Sequence, residues 1–227
     1  MSRQRKITRE QLQAAALAIV DEHGLQGLSM RTLARALDTG PMTLYNYVAT
    51  RAELDALVVE AVASEATWTS AGELTWEAEL LSVARGIWMS VRRHPNTVPL
   101  ILTRRSRSPA ALMVAEALLA ALARAGLRDN SLLIAFRSVM ALIVGLAQGE
   151  LAGPLALQTG ESASETIARF QALPADRFRY LRQTADAASR SRPESEFDAA
   201  MLLLIAGLKA SGTNPSGDAC PKAERGV

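Results

Sequence analysis

The sequence predicts an all-α fold, and both its composition and its helix-start signals support that class. Apolar residues make up 49% of the 227 residues, aromatic residues make up only 4%, and alanine and leucine dominate. Alanine and leucine are strong helix formers, so this composition favours helices over sheets. Two capping-box patterns, at residues 8–11 and 50–53, precede long segments whose apolar residues recur at helical spacing.

The N-terminal part of the chain is predicted to form a small helical domain. Its first helix begins at the Thr8 capping box and ends at Gly24, because glycine readily adopts the left-handed turn that terminates a helix. Its last helix begins at Thr50, reaches Trp68 and connects to the rest of the chain. We therefore place the first domain over residues 1–68, with the connecting helix beginning at residue 50.

Between these helices, residues 28–48 (LSMRTLARALDTGPMTLYNYV) have the pattern of a helix-turn-helix. Ser29 is suited to cap a first short helix, and residues 38–40 end it. Thr39 is predicted to cap the second helix, with Pro41 near the first helical position, where its missing N–H costs nothing. A helix of one or two turns does not persist alone in water, so packing on its neighbours must hold it.

The remaining chain is predicted to form a larger helical domain over residues 69–211, followed by a disordered polar tail over residues 212–227. Glycine, proline and capping residues divide the larger domain into helices. Their predicted bounds are about 75–93, 109–124, 129–150 and 193–210, with a short helical turn at 99–102 and one or two helices over 164–170 and 174–188.

Two of these helices, over 129–150 and 193–210, carry apolar residues on all faces, so each must be covered on all sides. Either both are central in their own domain, or each keeps one face for a second subunit. Small residues that allow close helix approach favour the second alternative and predict a two-fold dimer. The residues expected at that dimer interface are Ile134, Ala141, Gly145, Leu203, Ala206 and Gly207.

Several classes of protein are disfavoured by what the sequence contains. Cys220 is the only cysteine, so neither a disulfide framework nor a cysteine-based metal site is available. The histidines, His23 and His94, have no second ligand at metal spacing, and His94 before a proline is better explained as a helix-end partner. We expect no metal, no cofactor and no enzyme activity, because no phosphate loop, nucleophile elbow or paired catalytic carboxylates are present.

The location and the charge of the chain give weaker expectations. The N-terminus lacks the apolar core of a signal peptide, and the longest apolar runs, 139–147 and 200–208, are about half a membrane span. These features predict a cytoplasmic protein with no membrane partner. The formal net charge of +2 neither proves nor opposes a nucleic-acid partner. A basic arm of Arg3, Arg5 and Lys6 either contacts DNA or is simply a solvated, charged start.

The N-terminal part resembles the TetR family of transcriptional regulators. The resemblance is carried by residues 24–37 (GLQGLSMRTLARAL), 40–48 (GPMTLYNYV) and 51–54 (RAEL). Tyr47 stands where the family commonly has histidine, and Ala49 stands where lysine is common, so one phosphate contact is expected to be absent. Further features resemble a C-terminal domain of the tetracycline-repressor type: residues 93–95 (RHP), 116–119 (EALL), 125–127 (AGL) and 207–208 (GL).

The resemblance implies a DNA-binding role for the helix-turn-helix. Small residues at the start of the second helix would approach base edges in the major groove, and hydroxyl groups would contact phosphates. The implied DNA-binding residues are Ser29, Arg31, Thr32, Thr39, Gly40, Pro41, Met42, Thr43, Tyr45 and Tyr47. The alternative for Tyr45 and Tyr47 is a half-buried core position. The core residues of this unit are Leu33, Leu37, Leu44 and Val48.

The resemblance also implies a small-molecule cavity in the larger domain. Adaptable or aromatic side chains would line it, and a few polar ones would orient the ligand. The candidate ligand-binding residues are Arg85, Trp88, Met89, Met113, Phe136, Arg137, Met140 and Gln148. The apolar members of this set are equally well explained, one by one, as ordinary core.

The sequence therefore predicts a homodimeric, ligand-responsive transcriptional regulator that binds a roughly palindromic DNA operator. A repressor that releases its operator on binding an unidentified small molecule is the favoured form, and an activator or a ligandless repressor are the alternatives within this class. From another class, the alternative is a helical small-molecule-binding or catalytic protein whose DNA-binding head has degenerated. The substitution at Ala49 keeps that alternative open.

Overall fold

The computed structural model describes residues 7–69, 74–103, 108–152 and 162–212, and within these ranges all regular elements are helical. The predicted all-α class is confirmed. The helices are α1 (Arg9–Gly27), α2 (Met30–Ala36), α3 (Pro41–Leu44), α4 (Arg51–Ser64), α5 (Trp76–Arg93), α6 (Val98–Thr103), α7 (Pro109–Arg124), α8 (Asp129–Ala152), α9 (Ala163–Gln171), α10 (Arg179–Ala188) and α11 (Pro193–Gly212). A single 3-10 turn, Pro95–Thr97, joins α5 to α6.

The start of α1 follows from its capping box. The Thr8 hydroxyl accepts from the Gln11 amide, and Gln11 Oε1 accepts from the Thr8 amide at 3.0 Å. Gly24 has a φ of 65°, in the left-handed region, as the sequence predicts. The helical path resumes after Gly24 and ends at Gly27, so α1 is kinked rather than terminated there.

The cap of α3 differs from the prediction. Gly40, and not Thr39, is the N-cap, and no side chain caps this helix. The proline ring fixes Pro41 in the first helical position, so the residue before it becomes the cap. Thr39 instead closes the preceding turn, because its amide donates to the Ala34 carbonyl at 2.9 Å. The left-handed residue in this turn is Asp38, with a φ of 49°.

Helix α4 begins at its predicted cap but ends at Ser64, four residues before the predicted end at Trp68. The Thr50 hydroxyl accepts from the Glu53 amide, while Glu53 Oε2 accepts from the Ala49 amide at 2.6 Å rather than from that of Thr50. Beyond Ser64 the chain crosses α5 at close range. A Cβ at Gly86 would overlap the Thr67 carbonyl oxygen, so glycine is required there.

The buried side chains form one continuous cluster that runs from α1 to α11. Helix α1 packs along α4, and α4 packs in turn on α5 and α7. Helix α5 also packs on α7, α8 and α11, which together build the body of the molecule, while α9 and α10 pack on each other. Helix α4 therefore belongs to two surroundings at once, the N-terminal helices on one side and the body on the other.

Candidate nucleic-acid interface and ligand cavity

The helix-turn-helix presents the start of α3 to solvent. Met42 is 78% exposed, and Tyr45 and Tyr47 are 50% and 38% exposed. Leu44 and Val48 are buried beneath them and fix the short helix, as expected for a helix that cannot persist alone. Thr39, Gly40, Pro41 and Thr43 complete this surface, and Thr43 is half-buried. The alternative of a half-buried core position is compatible with the exposures of the two tyrosines, so their contact with DNA stays a prediction.

The residues at the start of α2 have a different arrangement. Ser29 Oγ accepts from the Thr32 amide at 3.1 Å, and Thr32 Oγ1 accepts from the Ser29 amide at 2.9 Å. The Thr32 hydroxyl lies 2.8 Å from the Gly27 carbonyl, to which it donates. Both side chains therefore hold the helix start, whereas Arg31 is exposed. Their predicted contact with DNA stays a prediction, as does that of the arm at Arg3, Arg5 and Lys6, which lies outside the described residues.

Arg51 ties the helix-turn-helix to α4. Its guanidinium donates to the Leu28 carbonyl at 2.6 Å, to the Leu25 carbonyl at 3.1 Å and to Asp55 Oδ1 at 2.8 Å. The Asp55 side chain is buried, so this charge needs its cationic neighbour. This role of Arg51 was not predicted from the sequence. The spacing of Arg51 and Asp55, four residues apart on one helix, was the signal that indicates an ion pair.

A second charged pair joins α1 to α4. Arg9 Nε and Nη2 donate to Glu60 Oε2 at 3.0 and 2.5 Å, and the Glu60 side chain is buried. The hydrogen bond to Glu60 raises the pKa of Arg9 above its ordinary value. Together with the Arg51 contacts, this pair ties α1 and the segment that leads into α2 to α4.

The C-terminal half of α4 borders a cavity of about 160 Å³ inside the body. Helices α4, α5, α7 and α8 supply nearly all of its wall. Its lining is Val59, Val62, Ala63, Ala66, Ile87, Ser90, Val91, Ile101, Ala111, Val114, Ala115, Phe136 and Met140. Among these residues only Ser90 has a hydrogen-bonding side chain, and its hydroxyl donates to the Ile87 carbonyl at 2.9 Å.

Two of the eight predicted ligand-binding residues, Phe136 and Met140, line this cavity, and the other six lie elsewhere. Trp88 is buried and stacks on Phe197, with ring centroids 4.7 Å apart. Met89 and Arg85 border an open groove on the outer side of α5, where Arg85 pairs with Asp198. The remaining three, Met113, Arg137 and Gln148, are exposed on α7 and α8. These six residues therefore do not share this cavity with Phe136 and Met140, and their role in ligand binding stays a prediction.

The sequence analysis missed the small residues that create the cavity. Ala63, Ala66, Ala111 and Ala115 line it from α4 and α7. The predicted apolar ligand-binding residues are large, adaptable side chains, but a void inside a packed core requires small side chains that leave space. The usable signal was the recurrence of alanine on the inner faces of two neighbouring helices.

The six predicted interface residues, Ile134, Ala141, Gly145, Leu203, Ala206 and Gly207, are all exposed on α8 and α11, which pack side by side. Ile134 is 56% exposed and Leu203 is 77% exposed, whereas Val139 and Ile143 on the other face of α8 are buried. By length and composition, residues 129–148 of α8 qualify as a membrane span, a longer apolar window than the sequence analysis noted, and 28% of that window is buried. The two helices thus share an apolar face that this chain alone leaves uncovered.

No group of three or more histidine, cysteine, aspartate or glutamate side chains in the described ranges is arranged to hold a metal ion. His94 forms the C-cap of α5, in agreement with its interpretation as a helix-end partner.

Residues 70–211 match the family model described as the C-terminal domain of the tetracyclin repressor-like type. This match covers more than half of the chain. The chain belongs to the TetR family. Both parts of the resemblance drawn from the sequence are thereby confirmed.

Curated relatives and solved structures agree with this assignment. The chain is 34% identical to the transcriptional repressor DrrR1 of Streptomyces coeruleorubidus over 146 residues, which are 64% of this chain and 54% of that protein. It is 28% identical to an HTH-type transcriptional regulator of Saccharopolyspora erythraea over 63% of this chain and 61% of that protein. The alignments thus span about half to three fifths of these relatives. ActR of Streptomyces coelicolor, solved in complex with actinorhodin, matches with a TM-score of 0.75 and 25% identity over 92% of this chain and 100% of that chain.

Proposed function

We propose that this TetR family protein is a homodimeric transcriptional repressor that releases its DNA operator when a small molecule enters the body. The observation that carries the proposal is the position of α4. Arg51 and Arg9 tie α4 to the start of the helix-turn-helix and to α1, and Val59, Val62, Ala63 and Ala66 of the same helix line the cavity. A ligand that displaces α4 must therefore displace the DNA-binding head.

On the DNA side, α3 would enter the major groove with its exposed N-terminal end. Met42 and Pro41 suit apolar contact with a thymine methyl group, and neither offers the two-pronged hydrogen bonds that read guanine. Tyr45, Tyr47 and Arg31 would contact phosphate oxygens, which position the head without reading sequence. Recognition would then depend in part on the shape of the operator.

The cavity indicates the class of ligand. Its described lining is apolar apart from the Ser90 hydroxyl, which already donates to the Ile87 carbonyl, so a neutral, largely hydrocarbon or aromatic molecule with one hydrogen-bond donor fits its chemistry. A volume of 160 Å³ holds little more than a single benzene-sized ring, since an engineered cavity of about 150 Å³ binds benzene. Drug-sized ligands occupy about 300–1,000 Å³, so a larger effector must push the helices apart. Actinorhodin, the compound bound to ActR, is a rational first probe.

A second copy of the chain would cover the exposed apolar face of α8 and α11. Pairing two heads is necessary because one short helix with few base contacts binds DNA weakly, and two-fold symmetry matches a palindromic operator. Covering α8 in this way also explains its membrane-like composition in a cytoplasmic protein. Leu203→Glu should convert the dimer to monomers, measured by light scattering. Tyr180→Glu is the matched control, because Tyr180 on α10 is 76% exposed and Leu203 is 77% exposed.

The experiment that tests the function is selection of DNA by the purified protein from a random library, followed by binding titrations over a range of salt concentrations. The account expects a two-fold symmetric site, an affinity that falls steeply with salt because phosphate contacts dominate, and release by a cavity ligand. Actinorhodin and compounds from a library of neutral aromatic molecules would be added to the preformed complex. Failure to select any site, or binding without salt dependence, would contradict the proposal.

A second candidate function is a helical small-molecule-binding or catalytic protein with a degenerate head. It is favoured by Ala49, which replaces a lysine common in the family and whose amide is already bonded to Glu53. A protein of this kind would bind ligand but show no salt-dependent binding to any selected DNA. The same two titrations therefore separate the candidates.

A further inference from the structure

Three helices meet around His94, directly after α5. The Nδ1 atom of His94 lies 2.8 Å from Asp21 Oδ2 of α1, and its Nε2 atom lies 3.0 Å from Glu65 Oε2, at the C-cap of α4. The His94 side chain is only 13% exposed. A single ring thus bridges the head, the end of α4 and the body.

The turn after His94 is also hydrogen-bonded to α1. Asn96 Nδ2 donates to the carbonyls of Val20 and Asp21, each at 3.1 Å, just before the kink at Gly24. The Thr97 hydroxyl donates to the His94 carbonyl at 2.6 Å and holds the turn closed. The end of α1 is therefore seated on the body by side chains that come from one short turn.

The geometry specifies a protonation state for the ring. Carboxylate oxygens only accept hydrogen bonds, and a neutral imidazole has one N–H donor, so satisfying Asp21 and Glu65 together requires both ring nitrogens to carry protons. Arg93 of α5 also faces this cluster, with Nη1 3.4 Å from Glu65 Oε2. Two cations then balance two carboxylates. Glu22 and His23, which lie 3.8 Å apart, form a separate exposed pair on α1.

The cluster lies close in the sequence to residues of the cavity wall. Ala66 and Val62 on the cavity wall flank Glu65 in the sequence, and the cavity lies on the body side of α4. An expansion of the cavity that moves the end of α4 must change the distance between Glu65 and His94. The contact at His94 is therefore closed in the state with the small cavity, which is the state that binds operator in the proposed function.

We propose that His94 is a positioning residue for the head: its doubly protonated ring holds α1 and the end of α4 in the operator-binding arrangement, and loss of one proton releases one of them. This inference rests on the proposed repressor function. Loss of one ring proton leaves one carboxylate without its donor, so operator affinity should fall when a rise in pH removes that proton.

The first test uses the free protein and needs no DNA. Nitrogen-15 NMR of the imidazole groups is simple here, because the chain has two histidines and His23→Asn identifies the signals of the other. In acidic buffer both ring nitrogens of His94 should carry protons, and raising the pH should shift the amide signals of Asp21 and Glu65 together with those of the ring. A ring with one proton throughout, or amides that do not follow it, would overturn the inference.

The second test measures binding of the selected operator at about pH 6 and pH 8. Wild-type protein and His23→Asn should lose about tenfold more affinity over this range than His94→Asn, because a charge-assisted hydrogen bond is lost only where His94 is present. His94→Asn should bind at both pH values as wild type does at the higher one. Equal pH dependence in all three proteins would contradict the positioning role.

Asp21→Asn keeps the inference testable if His94→Asn folds poorly. It preserves the size and an acceptor of the side chain but removes one negative charge, so the decline in operator affinity should begin at a lower pH. An unchanged pH profile would count against the inference. If the protein selects no DNA at all, the proposed function fails, whereas the NMR experiment still decides whether the ring bridges α1 and α4.

Discussion

Helix α4 is held by charged pairs toward the head and by apolar contacts toward the body, and this contrast supports the proposal that a ligand moves the head as a unit. Toward the head, buried Asp55 and Glu60 are paired with Arg51 and Arg9 at hydrogen-bonding distance. Toward the body, α4 presents valine and alanine side chains to a cavity. Hydrogen bonds to charged groups are directional, so they fix the position of the head relative to α4. Apolar contacts are non-directional, so they allow α4 to shift relative to the body. The head should therefore move with α4 as a unit, while the cavity changes its size.

Arg51→Met tests the charged contacts between α4 and the head, and it has the largest expected effect on stability. It removes the cation beside the buried Asp55 carboxylate and two hydrogen bonds to the Leu25 and Leu28 carbonyls. The free energy of unfolding should fall by about 2–3 kcal/mol, measured by urea titration. Arg35→Met, at an exposed arginine of α2, is the control and should change stability by less than about 0.5 kcal/mol. Equal effects of the two substitutions would show that the charged face does not fix the head.

Gly86→Ala tests the connection between α4 and α5. The added Cβ would overlap the Thr67 carbonyl oxygen, so the segment after α4 must move away from α5. Overpacking of this kind should cost about 2 kcal/mol in thermal or chemical unfolding and should change operator affinity. Gly145→Ala places its Cβ in open space within one chain and should not destabilise the monomer. A neutral result for Gly86→Ala would mean that this contact does not set the end of α4.

Ala115→Leu, on α7, tests the apolar cavity. The larger side chain would fill part of the cavity and should weaken binding of a cavity ligand at least about tenfold, measured by calorimetry, while operator affinity stays within about twofold. Ala120→Leu adds the same atoms on the exposed side of α7 and should leave both affinities unchanged. Undiminished ligand binding by Ala115→Leu would place the ligand elsewhere.

Tyr47→Phe and Tyr45→Phe test the exposed surface of the helix-turn-helix, which we call the reading surface, and have the smallest expected effect. Each removes one hydroxyl from an exposed ring and should weaken operator binding about threefold to tenfold across all sequences. Tyr180→Phe is the control, because it changes the remaining tyrosine, on α10, far along the chain from the head. If the affinity and its salt dependence did not change, these tyrosines would not contact phosphates.

Local signals made the helices predictable from the sequence. The capping residues Thr8, Ser29 and Thr50 each accept a hydrogen bond from the third helical amide, which depends on residues only three positions away. The errors in the helix bounds have different causes, some distant in the sequence and some local. Helix α4 stops at Ser64 because the following segment is held against α5, and the cap of α3 moves to Gly40 because Pro41 fixes the next position.

The reading surface was also predictable, since its exposure follows from the length and caps of two short helices. The cavity was not predictable from the sequence, because its location depends on which faces of α4, α5, α7 and α8 pack together. Trp88 illustrates the difficulty: its spacing is equally suitable for a ligand pocket, yet in the folded chain it stacks on Phe197, more than a hundred residues away in the sequence. The six exposed residues of α8 and α11 were found from composition alone, because a helix that is apolar on all sides must be covered.

The most direct test of the central claim is the distance between the two heads of the dimer, with and without a bound effector. One spin label per subunit, placed at Ala18→Cys on the exposed side of α1 in a Cys220→Ser background, reports this distance by pulsed electron resonance. The account predicts that a ligand able to release the operator shifts the distance by several ångströms, and that Ala115→Leu abolishes the shift. An identical distance with and without a ligand that releases the operator would contradict the account.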